Sequence, residues 1–153
     1  MTLLAIAICT WNNADSLQRV LDRLTQQTPS HADIEVLVVD NNSTDHTAIV
    51  IDQYRDLIPG FRSVFEPVPG LTPARVRAVG ELADARWIAF VDDDCLLAPD
   101  WSESAVRACR AAGDGIAAIG GLVELDFEVE PPRWIYRIAG AYAEQRPRSD
   151  AGA

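Results

Sequence analysis

Three apolar runs, each ending in a polar cluster, set the limits on how this chain can fold. Residues 3–9 (LLAIAIC), 34–39 (IEVLVV) and 87–91 (WIAFV) are almost continuously apolar. Runs of that length and β-branched make-up read as strands covered on both faces. The first breaks at Thr10-Trp11-Asn12-Asn13 and the second at Asp40-Asn41-Asn42. The third stops at three consecutive carboxylates, Asp92, Asp93 and Asp94. Side chains two apart on an extended chain share a direction, so Asp92 and Asp94 are expected to converge while Asp93 faces away. Adjacent like charges at the mouth of a buried strand repel, and a divalent cation held by oxygen ligands would offset them. The plainer alternative is a solvated acidic turn.

Between the runs the period changes from strand to helix. Leu17, Val20, Leu21 and Leu24 make one stripe, with Asp15 as the expected N-cap and Gln18 completing a capping box. A second helix is expected behind Ser43 or Thr44, with Val50, Tyr54, Leu57 and Ile58 inward. A short strand over 61–65 follows Pro59-Gly60. Thr72 is the expected cap of a third helix with Pro73 at its first position and Arg75 in its first turn; Ala74, Ala78, Val79 and Leu82 would pack. Pro99 and Asp100 open a fourth, with Trp101, Ala105, Ala108, Cys109 and Ala112 at helical spacing and Gly113 beyond. Further strands are expected at 116–119 and, from strict alternation of acidic and apolar residues, at 124–130. Trp134, Ile135, Ile138 and Tyr142 suggest a last short helix.

Alternating strands and helices make a mostly parallel α/β sheet with helices on both faces, here expected as one domain over 1–145 with a frayed tail at 146–153. Right-handed crossovers put every strand's carboxyl end on one edge, where open α/β sheets bind ligands. Thr10-Trp11-Asn12, Asp40 and the acidic triad therefore gather at that edge.

Composition narrows the partners. A formal charge of −10 argues against nucleic acid, which needs a basic footprint. No apolar run approaches the roughly 20 residues that span a bilayer, so the expectation is a cytoplasmic protein, working at most beside the inner face of a membrane. Cys9, Cys95 and Cys109 lack C-x-x-C spacing, and His31 and His46 stand far apart, so a Cys/His zinc site is not expected. Cys95 should be inert because neighbouring carboxylates raise its pKa.

The succession CTWNNADSL, VLVVDNNSTD, GLTPARVRAV and WIAFVDDDCLLAPDW resembles the nucleotide-sugar domain of family 2 glycosyltransferases. The later GGLVELDFEVEPPRWI is similar to bacterial members of exopolysaccharide assembly, of the hormogonium-polysaccharide type. The resemblance implies a Rossmann-like GT-A fold, incomplete at its C-terminal end, and metal-dependent, inverting transfer of a sugar from a nucleotide diphosphate. The acceptor would be a saccharide or lipid-linked saccharide, and the exposed edge of an incomplete sheet would invite a homo-oligomer. The same resemblance implies Thr10, Trp11, Asn12, Asp40, Arg75, Asp92 and Asp93 for the nucleotide sugar. It implies Asp92 and Asp94 for Mn2+ or Mg2+, with Asp94 the direct ligand. Other roles stand beside these: an Asx-turn for Asp40, a surface position for Arg75, hinge packing for Trp11. The acidic row at 124–130 reads as a solvent face, or brings Asp126 or Glu128 to the sugar or acceptor. Trp11 replaces the family's usual Tyr, and Val76 stands where Asn is common. The catalytic base is unassigned. A binding module without the acceptor half is the rival reading.

Overall fold

The computed structural model describes residues 2–27, 34–127 and 129–138. The chain falls into two compact units, 1–112 and 113–153. Residues 146–153 and Tyr142 lie outside the described residues.

The first unit alternates strand and helix throughout: β1 Leu4–Thr10, α1 Ala14–Thr25, β2 Ile34–Asp40, α2 Thr47–Tyr54, β3 Phe61–Phe65, α3 Leu71–Glu81, β4 Trp87–Phe90 and α4 Trp101–Ala111. The four strands run parallel in the order β3-β2-β1-β4. The order reverses between β1 and β4, which makes that junction the topological switch point.

Strand periodicity divides the core in two. Leu4, Ile6 and Ile8 of β1, with Val36 and Val38 of β2, face a layer built from α1, α2 and α4. The stripe read from the sequence, Leu17, Val20, Leu21 and Leu24, is buried there. Burial of side chains this size is worth roughly 1.5–3 kcal/mol each, before ordering costs. Ala5, Ala7, Leu37 and Val39 face the opposite way, against Ala74, Ala78 and Leu82 of α3. Small residues on both sides let α3 sit close to the sheet. Helices thus cover both faces, as the uninterrupted apolar strands require.

Several local expectations are corrected. Val79 and Leu57 are exposed, and Ile51 packs in α2 instead. The third helix begins at Leu71 behind Gly70, so Pro73 stands at its third position and Arg75 in its second turn. Gly70, at the N-cap, adopts φ 127°, a conformation that residues with a side chain rarely take.

The second unit departs most. Neither 116–119 nor the described part of 124–130 forms a strand, and Ile116, Ile119 and Val129 are exposed. Alternation supplies a face, but a strand also needs a neighbour to take its backbone hydrogen bonds. Asp126 is exposed, and Glu128 lies outside the described residues. A 3-10 turn at Ile135–Arg137 replaces the expected helix. Phe127 and Tyr136 meet edge to face at 5.9 Å, and the Tyr136 hydroxyl donates to Glu130.

Candidate nucleotide and cation site

Thr10 and Asp40 are register partners at the carboxyl ends of β1 and β2. The chain leaving β4 runs beside them, the Val91 amide donating to the Ala7 carbonyl before the acidic triad begins. All the expected polar clusters therefore lie on one edge of the sheet.

Two loops on this edge are locked to each other. Asn12 takes φ 49° and Asn42 φ 64°, left-handed conformations that asparagine tolerates. The Asn12 amide donates to Ser43 Oγ at 3.0 Å, and its side-chain oxygen accepts the amides of Thr44 at 2.7 Å and Asp45 at 3.3 Å. Asp45 then caps two helices. It accepts the Ala14 amide at the start of α1, and the Thr47 amide and hydroxyl at the start of α2. These are the roles expected of Asp15 and of Ser43 or Thr44; the α1 cap comes from another loop, which local spacing could not find, while the α2 cap stands one residue beyond Thr44. Partial burial pushes the Asp45 carboxyl upward, but the Thr47 and Ala14 hydrogen bonds and nearby His46 outweigh it and lower its pKa.

Asp40 is buried, and one of its oxygens accepts the Ser43 amide at 3.0 Å, a bond three residues on that braces the loop after β2. Among the described residues its other oxygen has no hydrogen-bond partner and remains available to a ligand. Thr10 is 2% exposed, with Oγ1 unpartnered among the described residues; in this conformation it lies beneath the surface. Trp11 is 62% exposed, so it does not pack in a hinge and presents a flat ring at the edge.

Sequence reasoning overlooked Asn41. Its buried side chain donates to the carbonyls of Glu66 at 3.1 Å and Val68 at 2.6 Å, and accepts the Gly70 amide at 2.7 Å. It fixes the loop that launches α3, and with it the helix that carries Arg75. A polar residue directly after a buried strand was the available signal.

The acidic triad sits on a turn and not on extended chain. The Cys95 amide donates to the Asp92 carbonyl, so the chain turns at Asp92 and the extended-strand rule no longer applies. Asp92 meets Arg75, Nη2 to Oδ1 at 3.3 Å, and the Arg75 guanidinium stands 5.4 Å over the Phe90 ring. Asp93 accepts a hydrogen bond from the Asn13 side chain at 2.9 Å. Asp94 is exposed and lies against Cys95. Burial is the largest cause of the raised Cys95 pKa, ahead of Asp94 and Asp92, so the thiol is inert for a reason additional to the expected one. Burial also pushes the Cys9 thiol up to about 11, Arg75 opposing the rise and Asp92 and Asp93 adding to it.

Among the described residues no three His, Cys, Asp or Glu side chains are grouped to hold a metal. The donor set nevertheless fits a hard cation that arrives with phosphates. Mg2+-like ions in such sites use one or two carboxylates and complete their shell with substrate oxygens and water. Exposed carboxylates at Asp92 and Asp94 suit that chemistry; a resident, fully caged metal would not find enough ligands. A surface hollow of about 410 Å³ lies elsewhere, lined by Glu66, Val68, Pro73, Val76, Arg77, Gly80 and Glu81. It contains none of the expected site residues. No described helix is long and apolar enough to cross a membrane.

Comparison with known proteins bears on the fold and the family. The chain is 37% identical over 107 residues to validoxylamine A glucosyltransferase of Streptomyces hygroscopicus, covering 69% of this chain and 25% of that protein. It is 30% identical over 128 residues to the glycosyltransferase AglE of Haloferax volcanii, covering 83% of this chain and 41% of that one. The chain thus spans a quarter to about two-fifths of these curated relatives. Among solved structures, the mannosyltransferase PcManGT of Pyrobaculum calidifontis, in complex with GDP-Man and Mn2+, superposes with a TM-score of 0.61 at 22% identity. That superposition covers 74% of this chain and 33% of the other. S. aureus TarS in complex with UDP-GlcNAc gives 0.58 at 24% identity, covering 69% of this chain and 30% of the other. At these identities the likeness speaks to the fold, which is the expected GT-A arrangement. The family model for glycosyl transferase family 2 matches residues 5–147, and the chain belongs to that family.

Proposed function

We propose that this chain forms the donor-binding part of a glycosyltransferase that moves a sugar from a nucleotide diphosphate to a saccharide hydroxyl in polysaccharide synthesis. The observation that supports this reading is that Trp11, Asp40 and the acidic triad follow the carboxyl ends of neighbouring parallel strands, with β1 and β4 flanking the switch point and Arg75 paired to Asp92.

The residues divide the donor between them. Trp11 offers a ring face for the base, and the second carboxylate oxygen of Asp40 accepts a base N–H or ribose O–H. Arg75 supplies a guanidinium matched to phosphate oxygens. Asp92 and Asp94 would hold the divalent cation, Mn2+ or Mg2+, with Asp94 as direct ligand; Asp93, tied to Asn13, would border the sugar phosphate. When bound, the cation neutralises charge that builds on the departing diphosphate. The acceptor oxygen forms its bond to the anomeric carbon as the bond to the diphosphate breaks, from the opposite face and so with inversion. The acceptor's proton passes to a carboxylate base not assigned to any residue here.

An acceptor that is a saccharide or lipid-linked saccharide would place the work in the cytoplasm, at the inner face of a membrane. A net charge of −10 keeps the chain itself from holding anionic lipid or nucleic acid electrostatically. Among the described residues β3 and β4 lie at the ends of the sheet, and such edges would suit self-association. The fraction of its relatives that the chain spans favours a second reading, donor binding without turnover by this stretch alone.

Calorimetric titration with UDP and GDP, with and without Mn2+, tests the proposal. Metal-dependent binding that Asp94→Ala abolishes is expected; binding that ignores both the metal and the substitution would contradict it. Donor hydrolysis by the chain then separates turnover from binding alone.

A further inference from the structure

We infer that Arg75 is an exchangeable counter-ion: it neutralises Asp92 in the free protein and transfers to the ligand's phosphates when a divalent cation takes Asp92. This deepens the donor-binding reading and rests on it for the second half of the exchange.

The three carboxylates have different company. Asp93 is held by a neutral amide, Asn13, and Asp94 lies against a thiol that burial keeps protonated. Asp92 meets a full positive charge, Arg75, at 3.3 Å. The side chains of that pair are 44% and 64% exposed. An ion pair so open to water is weak and is broken at little cost. It relieves the repulsion within the triad without sealing Asp92 from solvent.

A carboxylate has oxygens enough for both a guanidinium and a divalent cation, but the two positive charges repel across a few ångströms. Because the Arg75–Asp92 pair is open to water and weak, a cation taken by Asp92 shifts Arg75 away from it. It does not have to leave the site. The Phe90 ring beneath it, 5.4 Å from the guanidinium carbon, is an independent anchor that survives loss of the ion pair. A guanidinium resting on that ring and released from a carboxylate is poised for the phosphate oxygens arriving with the cation. Arg77, on the same helix, is committed elsewhere, its Nε bonded to Glu81 at 2.9 Å.

The exchange predicts opposite effects of one substitution on two ligands. Free Mn2+ is measured by its paramagnetic resonance signal while the full chain is titrated at low ionic strength, without nucleotide. Arg75→Met should bind Mn2+ about threefold to tenfold more tightly than the unsubstituted chain. In saturating Mn2+ the same variant should bind UDP or GDP about tenfold more weakly, having lost a charge-assisted phosphate contact. Arg77→Met should change neither value appreciably, showing that the effect belongs to this pair and not to net charge. Mn2+ binding by Arg75→Met that is unchanged, weaker or undetectable overturns the inference. Failure of the unsubstituted chain to bind UDP or GDP in Mn2+ counts instead against the donor reading, because the metal-only titration does not depend on nucleotide.

Discussion

The loops that follow β1 and β2 and the acidic turn that follows β4 share one edge of the sheet but are built on opposite principles. The first pair is stitched together by Asn12, Ser43, Thr44 and Asp45, and Asn41 extends the stitching to the loop before α3. The acidic turn is joined to its surroundings by the Arg75–Asp92 ion pair and the Asn13–Asp93 hydrogen bond. One half of the edge is a fixed platform whose polar groups are consumed in holding shape. The other keeps carboxylates near solvent, restrained lightly enough to rearrange around a ligand.

Substitutions should expose this contrast as a difference between stability and binding. The largest loss of stability is expected from Asn41→Ala, which takes the partner from two carbonyls and one amide in part-buried hydrogen bonds and should cost about 2 kcal/mol in denaturant unfolding. Asp45→Ala removes a cap shared by α1 and α2 and should cost roughly 1–2 kcal/mol. The pKa of Asp45 is lowered in the folded protein, so its contribution is present above the unfolded value of about 3.9 and is lost as pH falls through the folded one. The unsubstituted chain should therefore lose part of its advantage over Asp45→Ala below about pH 4, with the two melting temperatures drawing together. A constant gap across that range would show that the carboxylate's charge is not what matters.

Asp92→Asn should sit at the other extreme. An exposed ion pair contributes about 0–1 kcal/mol, so its unfolding midpoint should hardly move while Mn2+-dependent UDP binding falls at least tenfold. Equal losses of stability in Asp92→Asn and Asn41→Ala would erase the distinction between platform and adjustable turn. Smallest of all should be the effect of alkylating reagents at pH 8. With its thiol pKa pushed up to about 11, Cys9 should react far more slowly than a free thiol.

What the sequence disclosed follows the same division. Uninterrupted strands and the Leu17, Val20, Leu21, Leu24 stripe are signals carried within a few residues, and both specify burial directly. The sheet edge on which Asp40 and the acidic triad gather followed from those signals and the handedness of crossovers. Caps and clamps were hidden because they act across loops. Asp45 reaches Ala14 thirty-one residues away, and Asn41 reaches Gly70 across twenty-nine. The chain turns at Asp92, so the reasoning from an extended strand does not carry into the triad, where Asp92 and Asp94 both act on Cys95. Residues 124–127 show the limit of alternation: a two-sided pattern without a pairing neighbour stays out of any sheet.

The central claim is that the strand-end acids hold a cation that carries a nucleotide's diphosphate. Paramagnetic broadening of amide NMR signals by trace Mn2+, with UDP or GDP present, reads this residue by residue. The account predicts strongest broadening at residues 92–95, weaker broadening at 10–12 and 40–42, and none on the far end of α4. Broadening that is indifferent to nucleotide, or centred away from the β1–β4 junction, would contradict it.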